Sequence, residues 1–394
     1  MEFRLASAGD LPQVMGLWDY CFEKKEDPFF QWYFREYCLQ HNKVVGGFDE
    51  EGRLRNMLHL NPYQVLLRGR VAEMPYIVGV ATDPAARGHH LTEGLLDAAF
   101  ALLRARHVAF ALLMPIYAGI YQPYGFAFCY KKHAYDLPLA DLRVPAPVGE
   151  VRLERSARLD RHLLEDVYAD SAARYNGLAV RTDFQWDKLL TTHGLEHVQT
   201  ALACEEGRPT GYMLYKILDD RTFFVQELLA STADARLALL RFSRAHLSAA
   251  DRFVWQAPAD DVTYLHFPDA SRSGSVKPAM MARCLDVVQA LADYEAPPSC
   301  PDLDLTLAVQ DPQIGANNRL LSLSVRRGQL LLRDGEDETP DVLMDIGVFT
   351  QLCFGACEAE RLEAAGLLHT VDPTATAALA ALFPPCVNYI NEDY

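Results

Sequence analysis

The sequence has no long apolar run, no leader-like start and no paired cysteine motif. None of its apolar runs approaches the roughly 18 residues of a membrane span, and residues 1–10 contain no apolar segment typical of a secretory signal. The nine cysteines are scattered and form no C-x-x-C pair, which favours reduced thiols. We therefore expect a cytoplasmic protein without a membrane span.

Basic residues are also scarce. Lys and Arg number 37 against 53 Asp and Glu, which gives a formal net charge of −16. Such a field repels phosphate backbones and attracts cations, so nucleic acid is disfavoured as a partner. The sequence contains neither the G-x-S-x-G motif of a hydrolase nor an H-E-x-x-H zinc motif, and we expect no metal.

The composition is that of a folded chain with more than one core. Half of the residues are hydrophobic and 23% are charged, and 394 residues suit two or three domains. Two proline-rich stretches, at 137–147 and 296–301, can continue neither a helix nor a central strand. They predict domains over 1–147, 148–296 and 297–394.

Helical and strand-like patterns alternate along the whole chain, which predicts an α/β (α+β) fold. In the first domain we predict helices at 9–23, 28–39 and 91–105, and strands at 43–48, 57–68, 72–82 and 108–113. In the second we predict strands at 200–205, 211–217, 223–229 and 253–256, and a helix at 233–249. In the third we predict a strand at 303–309, a hairpin that turns at Arg327-Gly328, and helices at 341–353 and 373–382.

The segment 78–92 is the most informative part of the sequence. A strand ends at Thr82, Arg87 and Gly88 follow in a loop, and a helix begins near Leu91. Free amides and the dipole at a helix N-terminus favour an anion. The segment is therefore a candidate pyrophosphate site, and the alternative is a surface loop with a solvated arginine.

Three motifs together resemble a known family. They are Arg87-Gly88-His89-His90-Leu91-Thr92, the segment Ile120-Tyr121-Gln122-Pro123-Tyr124-Gly125-Phe126, and the ending Val387-Asn388-Tyr389-Ile390-Asn391-Glu392-Asp393-Tyr394. They are similar to the GNAT acetyltransferases, and specifically to the enhanced intracellular survival (Eis) family. The resemblance covers the whole chain. It implies tandem GNAT-like domains, the second degenerate, followed by a sterol-carrier-protein-like α+β domain.

The resemblance implies acetyl-CoA as co-substrate. The residues that match the family's cofactor-binding segment lie at the strand end, in the loop and at the helix start: Val80, Thr82, Arg87, Gly88, His90, Leu91 and Thr92. His90 stands where the family usually has a glycine. Its imidazole would either crowd the phosphate or add a donor to it.

The resemblance also implies two catalytic groups, the Tyr121 phenol as general acid and the C-terminal carboxylate of Tyr394. A phenol with a pKa of about 10 can protonate or hydrogen-bond to a leaving thiolate, whose thiol has a pKa of about 8.5. Tyr117 and Tyr124 are the rival acids. Unless burial raises its pKa, the Tyr394 carboxylate is too weak a base to deprotonate an ammonium outright, so it would hold the ammonium and relay its proton through water.

The implied acceptor is a primary amine of a cationic molecule: an aminoglycoside, a polyamine or a lysine side chain. The aromatic and acidic stretch 18–34 suits such a cation, and the family's pocket borders it, so we predict that Glu23, Trp32 and Glu392 bind the substrate. The alternative for this stretch is ordinary core packing.

Family members also form trimers or hexamers, so we expect a homo-oligomer. The competing function is a non-catalytic lipid- or ligand-binding protein, in which the third domain does the binding and the acetyl-CoA site is vestigial.

Overall fold

The computed structural model describes residues 1–156, 160–272, 274–292, 294–335 and 339–392. The described chain forms two compact units. The first contains Met1–Tyr130, Ala279–Cys386 and Glu392, and the second contains Lys131–Pro278 and Val387–Asn391. Within the described residues, no helix is both long and apolar enough to cross a membrane.

Strands and helices alternate through both units, as the sequence predicts. The strands are β1 (Glu2–Leu5), β2 (Lys43–Phe48), β3 (Leu54–Asn61), β4 (Gln64–Leu67), β5 (Arg70–Glu73), β6 (Tyr76–Thr82), β7 (Phe110–Leu113), β8 (Ala127–Phe128), β9 (Lys131–Pro138), β10 (Arg152–Ser156), β11 (Leu178–Ala179), β12 (Gln199–Glu205), β13 (Arg208–Ile217), β14 (Thr222–Ala230), β15 (Arg252–Pro258), β16 (Gly274–Pro278), β17 (Met281–Cys284), β18 (Leu303–Gln310), β19 (Arg319–Arg326), β20 (Gln329–Asp334), β21 (Val342–Asp345) and β22 (Leu368–Thr370). The helices are α1 (Leu11–Cys21), α2 (Pro28–Trp32), α3 (Leu91–Arg104), α4 (Glu165–Ala172), α5 (Asp183–Leu195), α6 (Ala233–Arg244), α7 (Val287–Ala292), α8 (Ile346–Phe354), α9 (Ala359–Ala364) and α10 (Pro373–Leu382).

The first unit is built on a sheet of order β1-β2-β3-β6-β7-β17-β8. Helix α3 covers one face of it, because its apolar residues recur at helical spacing on one side. The buried residues of that side are Leu95, Leu96, Ala99, Phe100 and Leu103, and they pack against the sheet residues Val45, Leu58, Leu60 and Ile77. This packing fixes where α3 begins relative to the end of β6.

A second sheet in the same unit has the order β20-β19-β18-β21-β22. In the sequence, α8 and α9 follow β21, and α10 follows β22. The predicted hairpin at Arg327-Gly328 is confirmed: both residues have positive φ, 52° and 78°, as a tight two-residue turn requires. The predicted helix over 341–353 is wrong in its first turn. Strand β21 occupies Val342–Asp345, and α8 begins at Ile346 with Asp345 as its cap.

The second unit contains a sheet of order β10-β12-β13-β14-β15-β9-β16. Helix α6 packs on one face through Ala235, Leu239 and Leu240. Helices α4 and α5 contribute Val167 and Trp186 to a separate core cluster. The sheet is therefore covered by helices on both sides.

Two strands pair with strands that lie far away in the sequence. β17 lies between β7 and β8 in the first unit's sheet, and β9 lies between β15 and β16 in the second unit's sheet. The chain thus completes each sheet with a strand from a distant part of the sequence. A division of the chain into consecutive segments does not predict these distant strand pairings. The domain boundaries at 147 and 296 stay predictions.

Candidate active site

The candidate phosphate loop connects β6 to α3. Asp83 accepts a hydrogen bond from the Ala85 amide at 2.9 Å and pairs with Arg55 at 3.1 Å, which fixes the chain where it leaves the sheet. Gly88 then takes a positive φ of 82°. Among the described residues, nothing lies within 4 Å of a Cβ built on Gly88. The loop is exposed and leaves room for a ligand in front of the helix.

His90 is the residue immediately before α3 and has a left-handed φ of 54°. A side chain in this region is strained where glycine is not. His90 and Gly88 are exposed, whereas Leu91 and Thr92 are half-buried. The N-terminus of α3, a helix of 14 residues, therefore follows directly on this exposed loop.

Arg87 bends back toward the strand and toward α1. Its Nε donates to the Thr82 carbonyl at 3.4 Å. Burial raises the pKa of the Cys21 thiol, and the nearby Arg87 guanidinium opposes that rise. The guanidinium thus lies between the end of α1 and the end of β6, where it is still exposed to a ligand.

Strands β6 and β7 diverge directly before this loop. They run parallel and pair only at Tyr76–Leu112 and Ile77–Leu113, after which β7 ends and β6 continues to Thr82. The far part of β6, with Val80 and Thr82, is half-buried. An extended ligand with amide groups can add to such a strand edge through backbone hydrogen bonds.

A bulge marks the point of divergence. The register between β3 and β6 shifts between Met57 and His59, and Gly79 opposite has a φ of 58°. A Cβ on Gly79 would lie 2.4 Å from the Trp18 ring and 3.2 Å from the His59 ring. Only glycine therefore fits at this position.

Half of the eight aromatic side chains in the stretch 18–34 belong to the core. Trp18, Phe30, Tyr33 and Phe34 are buried, and the Trp18 and Tyr33 rings stack at 4.9 Å. This agrees with the core-packing alternative for these four residues. The two predicted substrate-binding residues of the stretch lie at its margin, so their role stays a prediction.

Glu23 accepts a hydrogen bond from the Trp18 indole at 2.8 Å, and Trp32 is half-buried with its ring 6.0 Å from Phe29. Glu392, the third predicted substrate-binding residue, is buried. The predicted catalytic Tyr394 lies outside the described residues.

Tyr121 sits between two short helical turns, at 118–120 and 122–124. Its half-buried ring meets Phe126 edge-on at 6.0 Å, and burial raises its pKa to about 12. Of its rivals, Tyr117 is 69% exposed, and the pKa of Tyr124 is raised by burial and by nearby acidic residues. Tyr121 is thus held in a drier environment than Tyr117.

Arg283, which no motif in the sequence singles out, supports the Tyr121 loop. Arg283 on β17 donates from Nε to the Tyr124 carbonyl at 2.8 Å, and its Nη2 contacts both Asp311 oxygens at 2.8 Å. Both side chains of this ion pair are fully buried. A signal was present, because an arginine inside the apolar run Met280–Leu285 needs a buried partner.

The described residues contain no group of three or more His, Cys, Asp or Glu side chains arranged to hold a metal ion. The donors of the first domain that the sequence singled out are the backbone amides of the loop, the Arg87 guanidinium and the Tyr121 phenol. Such a set is suited to binding an anionic, amide-containing ligand and to donating a proton to a leaving group.

Family models match three successive parts of the chain. Residues 2–129 match an acetyltransferase (GNAT) domain, residues 177–284 match a second acetyltransferase (GNAT) domain, and residues 287–391 match a sterol carrier protein domain. No curated protein sequence gives a significant match. The predicted order of domain types is confirmed.

Solved structures share the fold over the full chain. A conserved protein of unknown function from Enterococcus faecalis V583 has a TM-score of 0.84 and 23% identity, covering 100% of this chain and 99% of its own. A GCN5-related N-acetyltransferase from Anabaena variabilis has a TM-score of 0.84 and 18% identity, covering 100% of both chains. Eis1 from Mycobacterium abscessus has a TM-score of 0.78 and 18% identity, again covering 100% of both chains.

At these identities the solved structures establish a common fold. The two acetyltransferase domain matches add that the chemistry is acyl transfer. GNAT domains bind an acyl-CoA, and the strand gap and loop described above are the parts of the first domain suited to it. This chain is an acyltransferase of the GNAT family, with two acetyltransferase domains and a C-terminal sterol carrier protein domain.

Proposed function

We propose that the protein transfers the acetyl group of acetyl-CoA to a primary amine of a cationic acceptor. The observation that carries the proposal is the divergence of β6 from β7 directly before an open loop and the start of α3. A pantetheine chain has two amides that can pair with the free edge of β6. The same geometry leads its pyrophosphate to the loop and the helix N-terminus.

The loop residues divide the work of binding. The amides around Gly88 and Leu91 meet the pyrophosphate, and the Arg87 guanidinium supplies the positive charge that the acidic protein otherwise lacks. Val80 and Thr82 lie along the pantetheine edge, and Thr92 lies in the first turn of the helix. His90 stands at the closest approach of the backbone to the phosphate, where its side chain narrows the entrance.

The reaction is a direct attack. The neutral amine adds to the thioester carbonyl carbon, the carbon–sulfur bond breaks, and the amine loses one proton while the sulfur gains one. Tyr121 supplies the proton to sulfur, because a phenol with a pKa of about 12 stays protonated at neutral pH. The proton that the amine loses restores the tyrosine phenol. The net products are therefore an amide and the free thiol of CoA.

The acceptor must be deprotonated before it attacks. An amine with a pKa of about 10.4 is neutral in roughly one molecule per thousand near pH 7.4, which costs about 4 kcal/mol. The Tyr394 carboxylate, with Glu23 and Glu392, would hold the ammonium and pass its proton to water. The net charge of −16 steers a polycation toward these acids.

Calorimetry and thiol release test the proposal. We expect acetyl-CoA to bind, Arg87→Ala to weaken that binding, and thiol to appear when an aminoglycoside, a polyamine or a lysine peptide is added. Glu51→Ala, which changes an exposed acid outside the loop, serves as the control for folding.

No binding at millimolar acetyl-CoA would contradict the proposal. It would favour the alternative of a lipid- or ligand-binding protein, which a displacement assay with a fluorescent fatty acid measures directly. Sedimentation of the intact chain tests the expected trimer or hexamer.

A further inference from the structure

The second acetyltransferase domain repeats the strand gap of the first. β14 and β15 run parallel and pair from Thr222–Arg252 to Val225–Trp255, after which β14 continues to Ala230. The register between β13 and β14 shifts at this point and leaves Gln226 as the extra residue of a bulge. A parallel pair that ends at a bulge is the arrangement seen at Ile77 and Gly79 in the first domain.

In the second domain this gap is not empty, because Asn391 from the end of the chain lies in it. The Asn391 side-chain amide donates to the Gln226 carbonyl at 2.8 Å, at the first residue beyond the last strand pair. Lys132 on β9 donates to the Asn391 side-chain oxygen at 3.1 Å, and Arg181 contacts the Asn391 carbonyl at 3.4 Å. Asn391 is therefore held by its side chain and its backbone.

Backbone hydrogen bonds also hold the residues before Asn391. The Asn176 amide donates to the Val387 carbonyl at 2.9 Å, and the Tyr389 amide donates to the Asn176 carbonyl at 3.0 Å. These bonds form a parallel bridge between Asn176 and Asn388. The Tyr389 side chain is buried in the cluster around α4 and α5, with its ring 5.3 Å from Tyr175.

A buried ion pair lies next to the gap, at the residue that follows Gln226 on β14. Arg181 and Glu227 make two contacts of 2.9 Å, and both side chains are about 1% exposed. The Tyr212 hydroxyl donates to Glu227 at 2.8 Å, and the Arg181 guanidinium lies 4.1 Å from the centre of the Tyr168 ring. This cluster fills the space beside the bulge, whereas the first domain has a glycine at its bulge.

The phosphate end of the second domain is also altered. Asp234 lies in the first turn of α6 and accepts the amides of Val148 and Gly149 at 2.9 and 2.7 Å. These hydrogen bonds lower the pKa of Asp234, which keeps it anionic. A carboxylate at this helix start repels a pyrophosphate.

We propose that the second acetyltransferase domain is a receptor for the chain's own C-terminal segment 387–391. The segment takes the place that acyl-CoA takes in the first domain. Through Gln226, Lys132 and Arg181 the domain holds Asn391. Insofar as residues 392–394 act in acetyl transfer, the inference rests on the proposed function. It also implies one acetyl-CoA site per chain.

Hydrogen exchange on the full-length chain tests the seating of the segment without reference to activity. Lys132→Met removes one contact to Asn391, and Asn391→Ala removes that contact and the one to Gln226. We expect the amides of 387–392 to exchange about fivefold faster or more in Asn391→Ala, and by a smaller factor in Lys132→Met. Lys131→Met is the matched control, because it removes the same charge from an exposed neighbour on β9.

Unchanged exchange at 387–392 in both variants would overturn the proposal, as would the same increase in Lys131→Met. A second measurement is the stoichiometry of acetyl-CoA in calorimetry. One molecule per intact chain is expected, and two would show that the second gap is open to the cofactor.

Kinetics then separate this inference from the proposed function. If the segment positions a catalytic carboxylate, Asn391→Ala lowers kcat for the amine and leaves the affinity for acetyl-CoA unchanged. Faster exchange in a protein that acetylates no amine would refute the proposed function and leave the receptor role intact. Unchanged exchange in an active enzyme would refute the receptor role alone.

Discussion

The hydroxyl of Tyr33 and Nδ1 of His59 lie 2.8 Å apart in a fully buried part of the first domain. Asn42 donates its side-chain amide to the same hydroxyl at 2.8 Å. Burial lowers the pKa of His59 to about 3. At neutral pH the imidazole is therefore uncharged, with Nδ1 in a hydrogen bond to the Tyr33 hydroxyl.

This relationship predicts an acid-sensitive fold. The folded pKa of about 3 lies below the ordinary histidine value of 6.5, so below pH 6.5 the unfolded chain binds a proton that the folded chain does not. The free energy of unfolding should fall as the pH decreases from about 6.5 toward 3, by up to about 1.4 kcal/mol per pH unit. Urea unfolding of wild type and His59→Gln at several pH values measures this slope.

The slope should be smaller in His59→Gln, since that side chain does not titrate. His162→Gln changes an exposed histidine and should retain the wild-type slope. Equal slopes in His59→Gln and wild type would show that another group controls acid unfolding.

Tyr121→Phe should abolish most of the acetyl transfer. The variant keeps the ring packing against Phe126 and loses only the proton donor, so kcat should fall by about 100-fold or more while the KM for acetyl-CoA stays nearly constant. Tyr117→Phe and Tyr124→Phe are the matched controls. A large loss in Tyr124→Phe with little change in Tyr121→Phe would assign the acid role to Tyr124.

His90→Gly should stabilise the protein and tighten acetyl-CoA binding. Glycine relieves the left-handed strain, which is worth about 1 kcal/mol, and removes a side chain from the phosphate loop. His107→Gly is the matched control, because His107 has a φ of 58° just after α3 and lies outside the loop. Weaker binding in His90→Gly would show instead that the imidazole donates to the phosphate.

Asp311→Ala should strongly destabilise the first unit. It leaves the buried Arg283 guanidinium without its anion, a change that costs about 3–5 kcal/mol. Asp251→Ala breaks the exposed pair with Arg221 and should cost much less. Urea unfolding compares the two, and equal losses would mean that the buried pair has no special role.

One residue added after Tyr394 should reduce turnover sharply. The addition moves the terminal carboxylate by one residue and puts an amide in its place. Steady-state kinetics with a saturating amine would detect the loss in kcat. An extended chain with unchanged kinetics would exclude the terminus from the mechanism.

Local patterns predicted those elements whose side chains repeat on one face. Strand β2 has the predicted bounds, and α3 lies within one residue of them at its C-terminal end. The predicted strand over 57–68 is two strands, β3 and β4, because Pro62 interrupts the ladder between them. The four residues of β17 are too few for a local pattern to reveal that they pair with β7 and β8.

The candidate site was only partly predictable for the same reason. The loop at Arg87 and Gly88 is a local feature, and the sequence places it between a strand and a helix. The contact between Arg283 and the Tyr124 carbonyl joins residues more than 150 positions apart. The seat of Asn391 on Gln226 likewise depends on the folded second domain, which spacing within the C-terminal segment does not reveal.

The pairing of β17 with the distant strand β7 has a consequence for synthesis on the ribosome. β8 joins the first sheet through β17, which emerges roughly 170 residues after β7 and, at roughly 5–20 residues per second, about 10–30 s later. During that interval β7 presents an unpaired edge in a nascent chain, which is the kind of surface that chaperones protect. A fragment ending at the first proline-rich stretch would keep that edge permanently, so expressing residues 1–147 alone should yield an aggregation-prone product.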